Sequence, residues 1–172
     1  MTIARGHRGR SLAIVGAALA ILLVPGIALA DTGGGTTIGP RVENGVTIDV
    51  EGATLNSKLM ATVRFAVVCD EITYFDWDTY QEVTTTEGRL GGDATLLQAQ
   101  GRSIAIALGY ASPVDVTCDG STVNHVTASV VAQNLPLKSG SALAGVSAYI
   151  SGGGEGEGGY GQSGPTAIKL AR

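Results

Sequence analysis

Basic charge, cysteine, histidine and aromatic rings are all scarce in this chain, and each scarcity removes a class of function. Lys and Arg number 11 against 15 Asp and Glu, so a polyanion such as nucleic acid would be repelled rather than gathered. The two cysteines, Cys69 and Cys118, stand in neither a CxxC nor a Cys-His spacing, which leaves no recognisable zinc cluster or redox motif. Only His7 and His125 could serve as imidazole bases. Gly161-Gln162-Ser163-Gly164-Pro165 has the outline of a nucleophile elbow. Pro165, however, occupies the place of its last glycine, and no strand-turn-helix pattern surrounds it. His125 alternates with Thr127 and Ser129, the pattern of a solvated strand face. No Gly-Lys-Ser/Thr follows the glycine runs, so they are not phosphate loops. The expectation from these absences is a protein without catalytic residues, metal or cofactor.

What is present begins with an N-terminal address. Arg5, His7, Arg8 and Arg10 precede the apolar run LAIVGAALAILLV, then Pro25-Gly26 and Ala28-Leu29-Ala30. That reads as a secretory signal peptide over 1–30, cleaved after Ala30. The run is shorter than the roughly 20 residues a spanning helix needs, so no membrane insertion is expected after cleavage. The rest has no cysteine at its start and no hydrophobic C-terminal tail. Loss of Arg5, Arg8 and Arg10 leaves eight basic residues against 15 acidic ones, a net charge of −7. A secreted or extracytoplasmic location exposes Cys69 and Cys118 to oxidation, where a pair in a small domain forms a disulfide. Closing the 49-residue loop between them stabilises the fold by about 4 kcal/mol on the chain-entropy account.

Residues 31–44, rich in glycine and threonine, read as a flexible leader, and 45–172 as one domain. Val46, Ile48 and Val50 alternate with polar residues, and Asn56-Ser57 turns the chain into the long stretch 58–69. There Leu59, Ala61, Val63, Phe65, Val67 and Cys69 share one face, as in a strand with one side in a core. Ile104, Ile106, Leu108 and Tyr110 give a further half-buried strand. Val126, Ala128, Val130 and Ala132 give the next, and Ala142, Ala144, Val146, Ala148 and Ile150 another. A last short strand is expected at 166–170, after a glycine-rich loop at 152–164. Sustained helical periodicity is missing after the signal peptide, and turn residues recur at the intervals of sandwiches and barrels. The expected fold is an all-β antiparallel sandwich in which the apolar residues of 59–65 and 126–132 meet in a shared interior between two layers.

Cys118-Asp119-Gly120 and its following strand, then Leu135-Pro136-Leu137-Lys138-Ser139-Gly140 opening the small-residue strand Ala142-x-Ala144-x-Val146-x-Ala148, carry a resemblance. The chain resembles uncharacterised exported proteins of high-GC bacteria with immunoglobulin-like (Ig-like) β-sandwich domains, the strand ending in Cys69 supplying the matching cysteine. The resemblance implies a fold and a location, and no activity.

The departure from that pattern is 70–93, DEITYFDWDTYQEVTTTEGRLGGD. In a chain only 5% aromatic, Tyr74, Phe75, Trp77 and Tyr80 gather here, among Asp70, Glu71, Asp76, Asp78 and Glu82. An extended segment puts Phe75 and Trp77 on one face and Tyr74, Asp76, Asp78, Tyr80 and Glu82 on the other. Three readings are open. In the first, Trp77 and Phe75 close one end of the sandwich while the carboxylates keep an edge soluble. In the second, Tyr74, Trp77, Tyr80, Asp76 and Asp78 form a binding face for a protein or glycan partner. In the third, Asp76 and Asp78 help hold calcium, although the EF-hand glycine and third oxygen ligand are absent. The function expected is a non-catalytic binding or surface-interaction module. The alternatives are a purely structural envelope protein, a calcium-binding module or an enzyme of unrecognised type.

Overall fold

The structure, a computed structural model, describes residues 41–43, 45–152 and 159–172. The expected signal peptide, most of the leader and 153–158 of the glycine-rich loop lie outside the described residues. The described chain is all strand and turn, in line with the alternation. The order is β1 (Arg41–Glu43), β2 (Thr47–Leu55), β3 (Met60–Val68), β4 (Ile72–Asp76), β5 (Gln81–Thr85), β6 (Glu87–Gln100), β7 (Ser103–Thr117), β8 (Asn124–Ala132), β9 (Gly140–Gly152), β10 (Tyr160–Gln162) and β11 (Thr166–Ala171). Nine strands hydrogen-bond in the order β1-β10-β9-β11-β2-β3-β8-β7-β6, and β6 pairs again with β9. The sheet therefore closes on itself, and β4 and β5 form a separate two-stranded hairpin. Closure leaves few open edges, which protects an all-β chain from pairing with its neighbours.

The core is built on β3, where Ala61, Val63, Phe65 and Val67 are fully buried. β2 lies antiparallel on one side, joined by the Asn56-Ser57 turn, and β8 on the other. Val126, Ala128 and Val130 thus lie beside Phe65, Val63 and Ala61 in neighbouring strands of the same sheet. They share one interior with β3, as expected, and reach it from a neighbouring strand of the same sheet. The placing of Leu59 is corrected. It lies outside the strand in the turn that Asn56 and Ser57 close onto the Met60 carbonyl, and is 58% exposed. A bulge between Val50 and Gly52 shifts the buried set from Val46, Ile48 and Val50 to Ala53 and Leu55.

β7 inverts the usual size rule. Its small residues Ala105 and Ala107 point into the core, while Ile104, Leu108 and Tyr110 are exposed and Ile106 is half-buried. The cause is the close approach of neighbouring backbones at Gly109. A Cβ there would overlap the Ser129 carbonyl oxygen and lie 2.7 Å from Val130 Cα. Pairing of β7 with β8 is confined to Ala107–Tyr110 against Ala132–Ser129. Two asparagines bracket this short ladder. Asn134 accepts the Ile106 N–H and donates to the Ile104 carbonyl, each at 2.8 Å, and Asn124 accepts the Thr117 N–H at 3.0 Å. Side-chain amides thus continue the hydrogen bonding where the strands diverge.

Two strands arise in stretches that read as irregular. β1 falls in the expected leader and β10 in the expected glycine-rich loop, and they pair with each other, β10 also with β9. Gly161 permits this because a Cβ there would come within 2.8 Å of Val46. At the opposite end of β9, buried Gln98 accepts the Lys138 N–H at 2.9 Å and donates to the Lys138 carbonyl at 2.6 Å. That clamp seats Leu137, which is buried.

Candidate functional site

The aromatic, acidic segment 70–93 divides into the β4–β5 hairpin and the first part of β6. Its base is fastened covalently: Cys69, just past β3, is bonded to Cys118, just past β7, with their Cα atoms 4.6 Å apart. Around the bridge, the Gly120 N–H donates to the Cys69 carbonyl at 2.9 Å and the Cys118 N–H to the Thr86 carbonyl at 2.7 Å. Ile72 then anchors the hairpin. It is buried, and its seat depends on Gly88 and Gly152, where a Cβ would lie 3.2 Å and 2.7 Å from its side chain. From Thr73 to Glu87 no residue is buried. The hairpin beyond Ile72 is consequently an arm standing off the body, held by its own ladder and by Thr73 against Thr84, hydroxyl to hydroxyl at 3.0 Å.

Its tip is organised by Asp76. The carboxylate accepts the Asp78 N–H at 2.9 Å and the Thr79 hydroxyl at 2.8 Å, forming the local turn that aspartate favours. The Thr79 hydroxyl and then the Asp78 N–H hold the Asp76 carboxyl below its ordinary range. Tyr80 closes the turn with φ of 56°, a left-handed conformation uncommon outside glycine. The turn brings Tyr80 to Phe75, ring centroids 6.4 Å apart, and Trp77 lies 4.8 Å from the same ring. Both contacts are edge-to-face, a favourable aromatic geometry. The three rings nevertheless stay open to solvent: Phe75 is 42%, Trp77 71% and Tyr80 75% exposed.

This geometry corrects three expectations. Trp77 and Phe75 do share a face, but they close no end of the core. Tyr80 joins them and not Tyr74, since the turn interrupts the two-residue alternation that assigned it to the other side. Tyr74, paired with Val83 and half-buried, is set apart from the trio, and Phe75 takes its place at the centre. The signal that could have revealed this was Asp76 three residues before Thr79, a spacing that marks a turn. Asp78 lies exposed in that turn, and Glu82 sits opposite Phe75 in the ladder, on the aromatic face.

The other candidate residues are engaged elsewhere. The Ser163 hydroxyl is buried, accepting the Val146 N–H at 2.9 Å and donating to the Val146 carbonyl at 3.3 Å, so it extends the sheet between β10 and β11. His125 is exposed and its Nδ1 lies 2.7 Å from Glu51 Oε1. Glu51 reaches it from the bulge in β2. Both oxygens of Asp76 serve the turn, and among the described residues no three His, Cys, Asp or Glu side chains converge on a point that could hold a metal. No described helix is long and apolar enough to cross a membrane.

Beside the disulfide, Asp119 accepts the Thr122 hydroxyl and N–H at 2.7 and 2.6 Å and the Ser121 N–H at 2.8 Å. These bonds, the Thr122 hydroxyl first, hold its carboxyl far below the ordinary aspartate range. A depressed carboxyl contributes stability that is complete above the unfolded value of 3.8 and is lost as pH falls below it towards the folded value. The expected result of a carboxyl-carbon NMR titration is an Asp119 still ionised at about pH 3, where an ordinary aspartate is mostly protonated. A midpoint at the ordinary value would contradict these hydrogen bonds.

No family model, no curated protein and no solved structure matches this chain.

Proposed function

We propose that this chain is an exported, non-catalytic binding module of the Ig-like sandwich type that engages its ligand through the β4–β5 arm. The observation that carries the reading is the assembly of Phe75, Trp77 and Tyr80 into one exposed cluster at the end of a projecting hairpin. Exposed aromatic rings are costly to leave in water, and a tip that merely capped a turn would not need three of them. Tryptophan and tyrosine are also the residues that most often carry binding energy at interfaces. The disulfide agrees with an oxidising environment, and so with export. The Ig-like assignment is supported by the all-β order and by a cystine joining the ends of two core strands, β3 and β7. Closure through β6 and β9 suits a sandwich whose layers exchange strands at a corner, with the bulge between Leu90 and Gly92 making the bend.

The test is binding of residues 31–172 to protein and glycan arrays beside the Trp77→Ala variant. Saturable binding is expected for the parent and a loss of about 30-fold, near 2 kcal/mol, for the variant. Because Trp77 is 71% exposed, the melting temperature should not change. Binding that is indifferent to Trp77→Ala, or absent altogether, would favour the purely structural envelope protein.

A further inference from the structure

We infer that the ligand of the arm is a cationic, extended segment of another protein, bearing Lys or Arg side chains that meet the Phe75, Trp77 and Tyr80 cluster. This rests on the binding reading above and adds the chemistry of the partner. Three observations converge on it. The first is the geometry of the rings: Phe75 meets Trp77 and Tyr80 at interplanar angles of 72° and 83°. Each such contact sets the edge of one ring against one face of the other and stacks neither pair, and with Trp77 71% and Tyr80 75% exposed, ring faces stay open to solvent. An aromatic face carries the negative lobe of its quadrupole, which attracts ammonium and guanidinium groups.

The second is charge complementarity. Asp70, Glu71, Asp76, Asp78, Glu82 and Glu87 lie on or beside the arm, and no Lys, Arg or His occurs between Cys69 and Arg89 to neutralise them. Glu82 shares the face of Phe75, and Asp78 stands exposed next to Trp77. An anionic ligand would be repelled here. A neutral sugar could stack on Trp77 and donate hydroxyls to the carboxylates, but it brings no positive charge to answer theirs. A Lys or Arg side chain uses both, its charge between carboxylate and ring face and its methylenes on the aromatic surface.

The third is an open backbone. Among the described residues β4 and β5 pair only with each other, so each has a free edge that an extended segment can join. Gln81-Glu82-Val83-Thr84-Thr85 is a strand-favouring sequence on such an edge. The partner is therefore expected to bind in extended form, with its cationic side chains alternating towards the aromatic face.

Trp77, the single tryptophan of the chain, reports on the tip directly. The experiment titrates residues 31–172 with a 12-residue peptide alternating Arg and Thr, with its Glu-for-Arg counterpart and with its Ala-for-Arg counterpart, while following Trp77 emission. The Arg peptide should shift the emission saturably and lose affinity as salt rises, and the other two should not. The double variant Asp78→Asn/Glu82→Gln should weaken the Arg peptide by about tenfold while leaving the melting temperature in place. Equal responses to the three peptides, or none up to millimolar concentration, would overturn the inference. If a neutral glycan then bound in a Trp77-dependent manner, the arm would keep its role and only its assigned ligand would fall. If neither experiment gave binding, both readings would fail.

Discussion

Replacing Gly109 by alanine is expected to cost about 3 kcal/mol, a large loss for the addition of one methyl group. Gly109 lies on β7 opposite Val130 of β8 and Ala94 of β6, with its missing side chain directed at the β8 backbone. The atoms it would strike are the Ser129 carbonyl and Val130 Cα. A flexible side chain could rotate away, but a strand can yield only by breaking its own ladder. That ladder is confined to Ala107–Tyr110 and is one of the links through which the sheet closes. Gly145 on β9 is the matched control, since a Cβ there meets nothing within 4 Å. Gly145→Ala should be neutral or stabilising by roughly 0.5 kcal/mol, because glycine is a poor strand residue. Leu108→Asn, on the outer face beside Gly109, should change stability by less than about 0.5 kcal/mol. Urea unfolding of the three variants checks this. A destabilised Leu108→Asn beside an unaffected Gly109→Ala would mean that β7 is turned the other way.

The second large effect is expected from the disulfide. Opening the Cys69–Cys118 bond frees a 49-residue loop in the unfolded chain and should lower stability by about 4 kcal/mol, less whatever structure the unfolded loop retains. The loop contains the whole arm and both β6 and β7. Reduction should therefore act on the arm first, because Ile72 is then its principal anchor and a two-stranded hairpin is marginal alone. The measurement is denaturant unfolding with and without reductant, paired with a thiol assay. The native protein should show no titratable thiol, in keeping with the absence of free cysteine. An unchanged midpoint after complete reduction would show that Ile72 and the surrounding backbone bonds hold the arm unaided.

How far the sequence could be read depended on contrast between faces. β3, β8 and β9 were legible because Val63 and Phe65, Val126 and Val130, and Val146 and Ile150 alternate with more polar or smaller neighbours. On β7 the alternation was equally regular, but both faces were apolar, and pattern alone does not say which is inside. There the backbone spacing around Gly109 decided, and it admitted alanines. β1 and β10 could not be read because their pairing depends on the smallness of Gly161, not on side chains to bury. The arm was visible by composition, since aromatic and acidic residues gather nowhere else. Its grouping was misread for one local reason: the Asp76 turn and the left-handed Tyr80 break the extended geometry and move that ring from the side of Tyr74 to that of Phe75.

An aromatic tip set free of the body and surrounded by negative charge is open to a direct optical measurement, the quenching of Trp77 fluorescence by caesium and by iodide in the unliganded protein. The solvated ring should emit near the wavelength of free indole, and caesium, drawn in by Asp78 and Glu82, should quench it more strongly than iodide does when each is taken relative to its quenching of free tryptophan. A blue-shifted emission that neither ion quenches would place Trp77 inside the protein and contradict the account.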